Sequence, residues 1–198
     1  MPSMASIDQV FSFLRFTHKF NQVQRQLFAT GENRNENDSE HSFQLALLGW
    51  YLISSQNLQL DLNKVIHYSL VHDLVEIYAG DTFFHDKNNS AHASKKGREH
   101  TALERIKNEF PEFSELPKLI QEYEELNSPE ARFVSALDKV IPVMNIYLDN
   151  GRSWEVTEVS YEMIRSKDKK IEISEDVMRI WKEFVVLVER DRERLHLG

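Results

Sequence analysis

The sequence predicts an all-α, single-domain helical bundle over residues 1–198, and three observations carry that expectation. Apolar residues recur at helical rather than alternating spacing. Only six glycines and five prolines interrupt 198 residues, too few for the turns of an all-β fold. The length suits one domain with a substantial core and is short for two.

Ile7, Val10, Phe11 and Leu14 open a first amphipathic helix. A polar segment, 31–38, leads into a second, with Asp38 or Ser39 as its N-cap. The body of that helix, 43–53, is apolar nearly all round, which predicts a central buried element. Asp61 is placed to cap a third helix over 62–79, with Gly80 where a left-handed C′ residue belongs. Residues 82–97 are polar and read as a long surface loop. A fourth helix is expected over 98–110, stopped by Pro111, and a fifth over 116–126. Ser128-Pro129-Glu130 combines a capping hydroxyl, a first-turn proline and an acid facing the helix dipole. It starts a sixth helix reaching about 149, kinked at Pro142. Helices over 154–165 and 175–192 complete the chain.

Composition narrows the function. No cysteine is present, which excludes thiolate metal sites and fits a cytoplasmic setting. The longest strongly apolar run, 45–53, is far short of the roughly 20 residues a membrane span needs. The N-terminal apolar stretch is broken by Arg15, His18 and Lys19 and does not read as a signal peptide. A net charge of −8 argues against a nucleic-acid polymer as partner. A small phosphorylated substrate remains compatible, because a bound cation reverses the local potential.

Of the eight histidines, His18, His67, His92, His100 and His196 have polar neighbours and read as ordinary. The dipeptide His-Asp occurs at His72-Asp73 and again at His85-Asp86. The second lies in the polar 82–97 segment. The first is flanked by Leu70, Val71, Leu74 and Val75, where a buried carboxylate is costly unless paired or bound to a cation. Consecutive helical residues point about 100° apart, so His72 and Asp73 can approach one ion, and Glu76 follows at i+4 on the face of His72. An ion pair between Asp73 and an arginine or lysine is the competing reading, and this helix alone leaves both open. His41 is a polar ring in the first turn of the apolar second helix, and Asp138 sits within Val134-Ser135-Ala136-Leu137-Asp138. A salt bridge to Lys139 is the plainer role for Asp138. Together, two imidazoles and two carboxylates fit an octahedral Mn²⁺, Co²⁺ or Mg²⁺ site with open water positions.

The pattern His41 … His72-Asp73 … Asp138 resembles the HD-domain metal-dependent phosphohydrolases, most closely their 5′-deoxynucleotidase-like branch. Three segments carry the resemblance: Arg34 to Ser42, His72 to Asp81, and Glu122-Tyr123-Glu124-Glu125 running on to Phe133 through Lys139. It implies an HD-type helical fold with one divalent metal on His41, His72, Asp73 and Asp138. It further implies that Glu76 activates the attacking water and that Asp81 contacts the sugar of a nucleoside 5′-monophosphate. Related deoxynucleotidases carry an Arg-Trp pair about 15 residues before the first metal histidine; this chain has Arg25-Gln26-Leu27-Phe28 and no tryptophan there. Arg34, seven residues before His41, is a candidate phosphate ligand, with pairing to Glu36 or Glu32 as the alternative.

Rival chemistries lack their motifs. The sole Glu-x-x-His, Glu193 to His196, cannot supply the paired set of a di-iron bundle. His-Glu-x-x-His, G-x-G-x-x-G and Walker A patterns are absent. Two classes remain: an enzyme hydrolysing a small nucleotide, or a metal-stabilised module that binds one without turnover. A nucleoside triphosphate or signalling nucleotide is the alternative substrate. Glu76 favours the enzyme, because a binding module needs no second carboxylate beside the metal. The apolar stretch 181–188, with 11% aromatic residues overall, suits either core or interface, and the family resemblance implies an interface, hence a homodimer.

Overall fold

In the computed structural model, residues 5–80, 90–195 and 197 are described, with side chains of 90–95 set aside. The order is α1 (Ile7–Phe20), β1 (Gln24–Phe28), β2 (Asn35–Asn37), α2 (Asp38–Gln56), α3 (Leu62–Val71), α4 (Glu76–Ala79), α5 (Ser90–Glu109), α6 (Glu115–Glu125), α7 (Pro129–Leu148), α8 (Arg152–Thr157), α9 (Tyr161–Arg165), α10 (Asp168–Ile171) and α11 (Glu175–Arg190). The helical expectation holds, with one small addition. β1 and β2 form an antiparallel pair in which Gln24 opposes Asn37 and Phe28 opposes Asn35. The register is irregular between those positions, as in a bulge that re-aims side chains.

Two apolar clusters build the interior. The larger joins α2, α3, α7 and α11 through Leu45, Val65, Phe133, Leu137, Ile141 and Trp181. The smaller joins α1, α5 and α6 to the end of α3 and α4 through Phe16, Val71, Val75, Ile106, Phe110 and Ile120. The segment after α3 therefore lies at the seam between the clusters. Gly49 lets α2 and α3 approach closely, because a Cβ there would meet Val65 Cγ1 at 2.9 Å. No helix among the described residues is long and apolar enough to cross a membrane.

Several expected boundaries are corrected. The N-cap of α2 is Asn37, which forms a capping box with Glu40, so Asp38 is the first helical residue. α2 is not buried all round: Phe43, Leu47, Trp50 and Tyr51 are 46–65% exposed, along one stripe. The stretch 181–188 belongs mostly to the core, with Trp181, Phe184, Val185 and Val188 buried, so it does not supply the surplus apolar surface read from it. The expected loop over 82–97 is helical from Ser90 onward, and 81–89 lie outside the described residues. The single helix over 154–165 is two, because Glu158 adopts a left-handed conformation (φ 52°) and Ser160 caps a new start. Asp61 caps α3 and Ser128 caps α7, as expected; Gly80 does end α4, but as its C-cap and with φ 74° and ψ 149°, outside the left-handed helical region. α7 runs through Pro142 without a break.

The helix expected over 62–79 is interrupted at 72–75, between α3 and α4. Nothing in the local sequence breaks helices, and the cause is side-chain competition. Ser69 Oγ donates back to the Val65 carbonyl at 2.8 Å, a contact that bends helices. His72 Nδ1 then takes the Ser69 carbonyl at 2.9 Å, the acceptor that helix continuation needs for Asp73. The chain tightens instead into i→i−3 bonds, Leu74 N to Val71 O and Glu76 N to Asp73 O.

Candidate metal centre

Three helical elements and one turn meet at the cluster seam. The capping box fixes the first turn of α2 and sets His41 fully buried at its inner face. α7 brings Asp138, also buried. The tightened turn after α3 presents His72 and Asp73. His41 Nε2 lies 2.9 Å from Asp138 Oδ1. His72 Nε2 lies 2.9 Å from Asp73 Oδ2 and 3.7 Å from Asp138 Oδ1. One donor atom from each of the four lies within 4.8 Å of the other three. The four residues read from the sequence as metal ligands are thus brought together.

The donors fit a divalent cation, and the tautomers support that. A carbonyl only accepts, so the Ser69 contact places a proton on His72 Nδ1 and turns the Nε2 lone pair toward the carboxylates. His72 Nε2 is buried without a hydrogen-bond partner despite its nearness to Asp73. His41 Nε2, by contrast, is bonded to Asp138 Oδ1 at 2.9 Å, so an ion at the centre would take the place of that proton.

Electrostatics agree. Burial, helped by the Arg25 charge, pushes the His41 imidazole down to about 4, so it is neutral at pH 7. Burial acts the same way on His72, yet Asp73 and Asp138 beside it lift it to about 10. The same carboxylates that draw a proton onto His72 attract a cation. Burial would raise Asp138, but Lys139, His41 and His72 hold it well below the usual carboxylate range. The plainer expectation for Asp138 is therefore also met: its Oδ2 contacts the Lys139 ammonium.

Glu76, the first residue of α4, is buried. One of its oxygens shares a 4.8 Å cluster with donors of Asp38 and Asp73. Asp81 lies outside the described residues, as does the second dipeptide, His85-Asp86. Arg34 is turned elsewhere: its guanidinium reaches Glu40 Oε1 at 2.5 Å and Glu32 Oε2 at 2.7 Å. Its physical task there is to hold Glu40, whose carboxylate also accepts from the Asn37 backbone N–H at 3.1 Å in the capping box.

The guanidinium at the centre belongs to Arg25, from the irregular stretch of β1. Its Nη1 lies 3.1 Å from Asp73 Oδ2 and 3.2 Å from Asp38 Oδ1, and its Nε lies 3.2 Å from Glu36 Oε2. Asp73 thus realises both readings of the sequence, facing an arginine and the ligand cluster at once. Arg25, Glu36 and Asp38 were not singled out from sequence, since all lie in a polar stretch without helical periodicity. Burial pushes the Glu36 carboxyl up, against the pull of Arg25 and Asn145. The hairpin is tied down from α8: the Arg152 guanidinium donates to the Glu32 and Ala29 carbonyls, and Ser153 Oγ accepts from Phe28 N at 3.0 Å.

A helical fold with a His, His-Asp and Asp cluster at its seam defines the HD-domain class, and the HD domain family matches residues 17–181. The chain belongs to that family, the metal-dependent phosphohydrolase superfamily that its motifs resemble. It is similar to 5′-deoxynucleotidase HDDC2 of Homo sapiens, 30% identical over 133 residues, and of Mus musculus, 31% identical over 143 residues. These matches take in 66% and 69% of this chain and 63% and 69% of those relatives, so it spans just under two thirds of the human protein. Its structure is similar to that of a predicted metal-dependent phosphohydrolase from Magnetospirillum magnetotacticum MS-1, with a TM-score of 0.81, 28% identity and full coverage of both chains. A conserved hypothetical protein from Pyrococcus furiosus shares the fold, with a TM-score of 0.62 at 19% identity over 93% of this chain and 99% of that one.

Proposed function

We propose that this protein is a divalent-metal-dependent phosphohydrolase that removes phosphate from a small nucleotide, most closely a (deoxy)nucleoside 5′-monophosphate. The observation that carries this reading is the convergence of His41, His72, Asp73 and Asp138 beside two further groups, Glu76 and Arg25. Those four hold the metal, taken as Mn²⁺, Co²⁺ or Mg²⁺ because the donors are imidazole and carboxylate. When bound, such a cation lowers the pKa of a coordinated water and offsets charge on the phosphoryl oxygens.

The chain's own residues supply the rest. Glu76 accepts the proton of the attacking water, and its burial excludes bulk solvent from that exchange. Arg25 is held through Nε and Nη1 by carboxylates, which leaves Nη2 to meet a phosphate oxygen. Asp81, just past the end of α4, accepts from sugar hydroxyls. Arg34, already committed to Glu32 and Glu40, acts at most as an outer phosphate contact. Arg25 is followed by Gln26 where related deoxynucleotidases carry tryptophan, so a preference for deoxyribose would be set by other contacts.

Turnover rather than binding alone is favoured by Glu76, a buried carboxylate that the four-ligand set does not use. Hydrolysis of a nucleoside triphosphate or signalling nucleotide is the alternative within the same chemistry. Phosphate release from a panel of nucleoside mono-, di- and triphosphates, with Mn²⁺, Co²⁺ or Mg²⁺ added, decides between them. Monophosphates are expected to be cleaved and EDTA to abolish release; release from triphosphates alone contradicts the substrate assignment.

We also propose a homodimer, paired through the exposed stripe of Phe43, Leu47, Trp50 and Tyr51 on α2. An isologous contact buries the same four side chains of both copies. A single-chain mass by light scattering at micromolar concentration would remove it.

A further inference from the structure

Behind Arg25 and His41 stands a layer of polar side chains that neither the four-ligand set nor Glu76 accounts for. Glu36, on β2, is buried at 6% exposure. Its Oε2 lies 3.2 Å from Arg25 Nε and 3.8 Å from His41 Nδ1. Its Oε1 accepts a hydrogen bond from Asn145 Nδ2 at 3.2 Å. Asn145 lies on α7 seven residues beyond Asp138, two turns along the same face. Asn145 in turn exchanges two bonds with Gln44 of α2: Gln44 Nε2 donates to Asn145 Oδ1 at 3.0 Å, and Asn145 Nδ2 donates to Gln44 Oε1 at 2.7 Å. That reciprocal pair fixes which end of the Asn145 amide faces the carboxylate, because a flipped amide would set oxygen against oxygen.

We propose that Glu36, held in place by Asn145 and Gln44, is a positioning residue that acts through Arg25 and His41. Toward Arg25, its charge 3.2 Å from Nε draws the guanidinium to this side and so limits how the rest of the fork is presented. Toward His41, whose Nε2 bonds Asp138 Oδ1 in this structure, a carboxylate 3.8 Å from Nδ1 favours moving the proton to that side when an ion takes Nε2. His72 obtains the same orientation from the Ser69 carbonyl, a backbone group no side-chain change removes. The two imidazoles are thus oriented by different means, and only that of His41 depends on a replaceable side chain. Glu36 touches neither substrate nor metal. The inference rests on the proposed metal site, and its test uses readouts that need no turnover.

The variants are Glu36→Ala, Glu36→Gln and Asn145→Ala in the full chain. The probes are Mn²⁺ alone, titrated against a chelating dye, and inorganic phosphate titrated into the Mn²⁺-loaded protein. Metal-free melting temperatures show that each variant is folded. Glu36→Ala is expected to weaken Mn²⁺ binding by roughly 10- to 100-fold, the usual effect of removing an outer-shell partner, and to weaken phosphate binding as well. Glu36→Gln, which keeps an acceptor for Asn145 Nδ2 but removes the charge beside Arg25 and His41, is expected to weaken both, by less than Glu36→Ala. Asn145→Ala shifts both in the direction of Glu36→Ala by less. Should Glu36→Ala fail to fold, the other two variants decide. Wild-type affinity for both probes in the folded variants overturns the proposal. A wild-type protein that binds Mn²⁺ yet cleaves no nucleotide contradicts the proposed activity, while the Mn²⁺ comparison still decides the role of Glu36.

Discussion

Arg25 and Arg34 have the same chemistry, and their surroundings divide the work between them. Arg34 sits at the surface with its side chain 44% exposed, paired to two glutamates. Arg25 has a side chain only 14% exposed. Burial alone would lower its pKa, but Asp73, Asp138, Asp38 and Glu36 raise it, so the charge is permanent. The proposed metal ligands were legible because His72, Asp73 and Asp138 interrupt apolar runs, because His41 opens an apolar helix, and because together they match a family pattern. Arg25 was not, because a charged residue in a polar segment is the ordinary case and a β-bulge leaves no period to read. Glu76 was legible by its spacing from His72, although the turn that places it is not the continuous helix the spacing assumed. Its role makes a definite prediction. Glu76→Gln should keep the metal and KM while lowering kcat by roughly 10²- to 10⁴-fold on a nucleoside 5′-monophosphate. A wild-type kcat contradicts the general-base role, and loss of metal makes Glu76 a ligand.

Among the elements, caps and stop signals translated well into structure: Asp61, Ser128 and Gly80 mark the ends they were expected to mark. The break within the third expected helix has one cause, competition from side chains for backbone groups. The 72–75 break needs Ser69 and His72 together, and neither is a helix breaker alone. The C-terminal half shows similar local wiring. α10 is pinned to α11 by Trp181 Nε1, which donates to Asp168 Oδ1 at 2.6 Å, while Arg165 Nη2 bonds Asp168 Oδ2, also at 2.6 Å. Burial would raise the Asp168 pKa, but the bonds from Arg165 and Trp181 hold it below 3.8. The folded value is depressed, so this stabilisation is present above pH 3.8 and is lost as pH falls through the folded value. Asp168→Asn should therefore destabilise the protein at pH 7 by roughly 1–2 kcal/mol, the scale of a charged hydrogen bond. In urea melts the gap to wild type should narrow below pH 3.8. A gap that is constant with pH contradicts this account of the contact.

Across the whole molecule, a net charge of −8 would seem to repel a phosphorylated substrate. The fold resolves this by gathering cations where the ligand carboxylates are. Lys139 contacts Asp138, Arg25 pairs with Asp73, and Lys167 is brought down to about 8 by its burial and by the charges of Lys139, Lys170 and Arg25, against the pull of Asp138. The surface repels phosphate polymers, and at the seam these cations, together with the divalent ion proposed there, would offset the carboxylates for one small anion. This architecture was legible only in outline. Helical periodicity foretold a bundle, but that its two clusters part at His72-Asp73 depends on contacts between distant segments. The central claim is that His41, His72, Asp73 and Asp138 hold one divalent cation, and elemental analysis tests it most directly. After Mn²⁺ loading and desalting, the wild-type chain should retain about one equivalent of metal, and folded Asp73→Asn should retain almost none. Retention of a full equivalent by Asp73→Asn contradicts the four-residue centre.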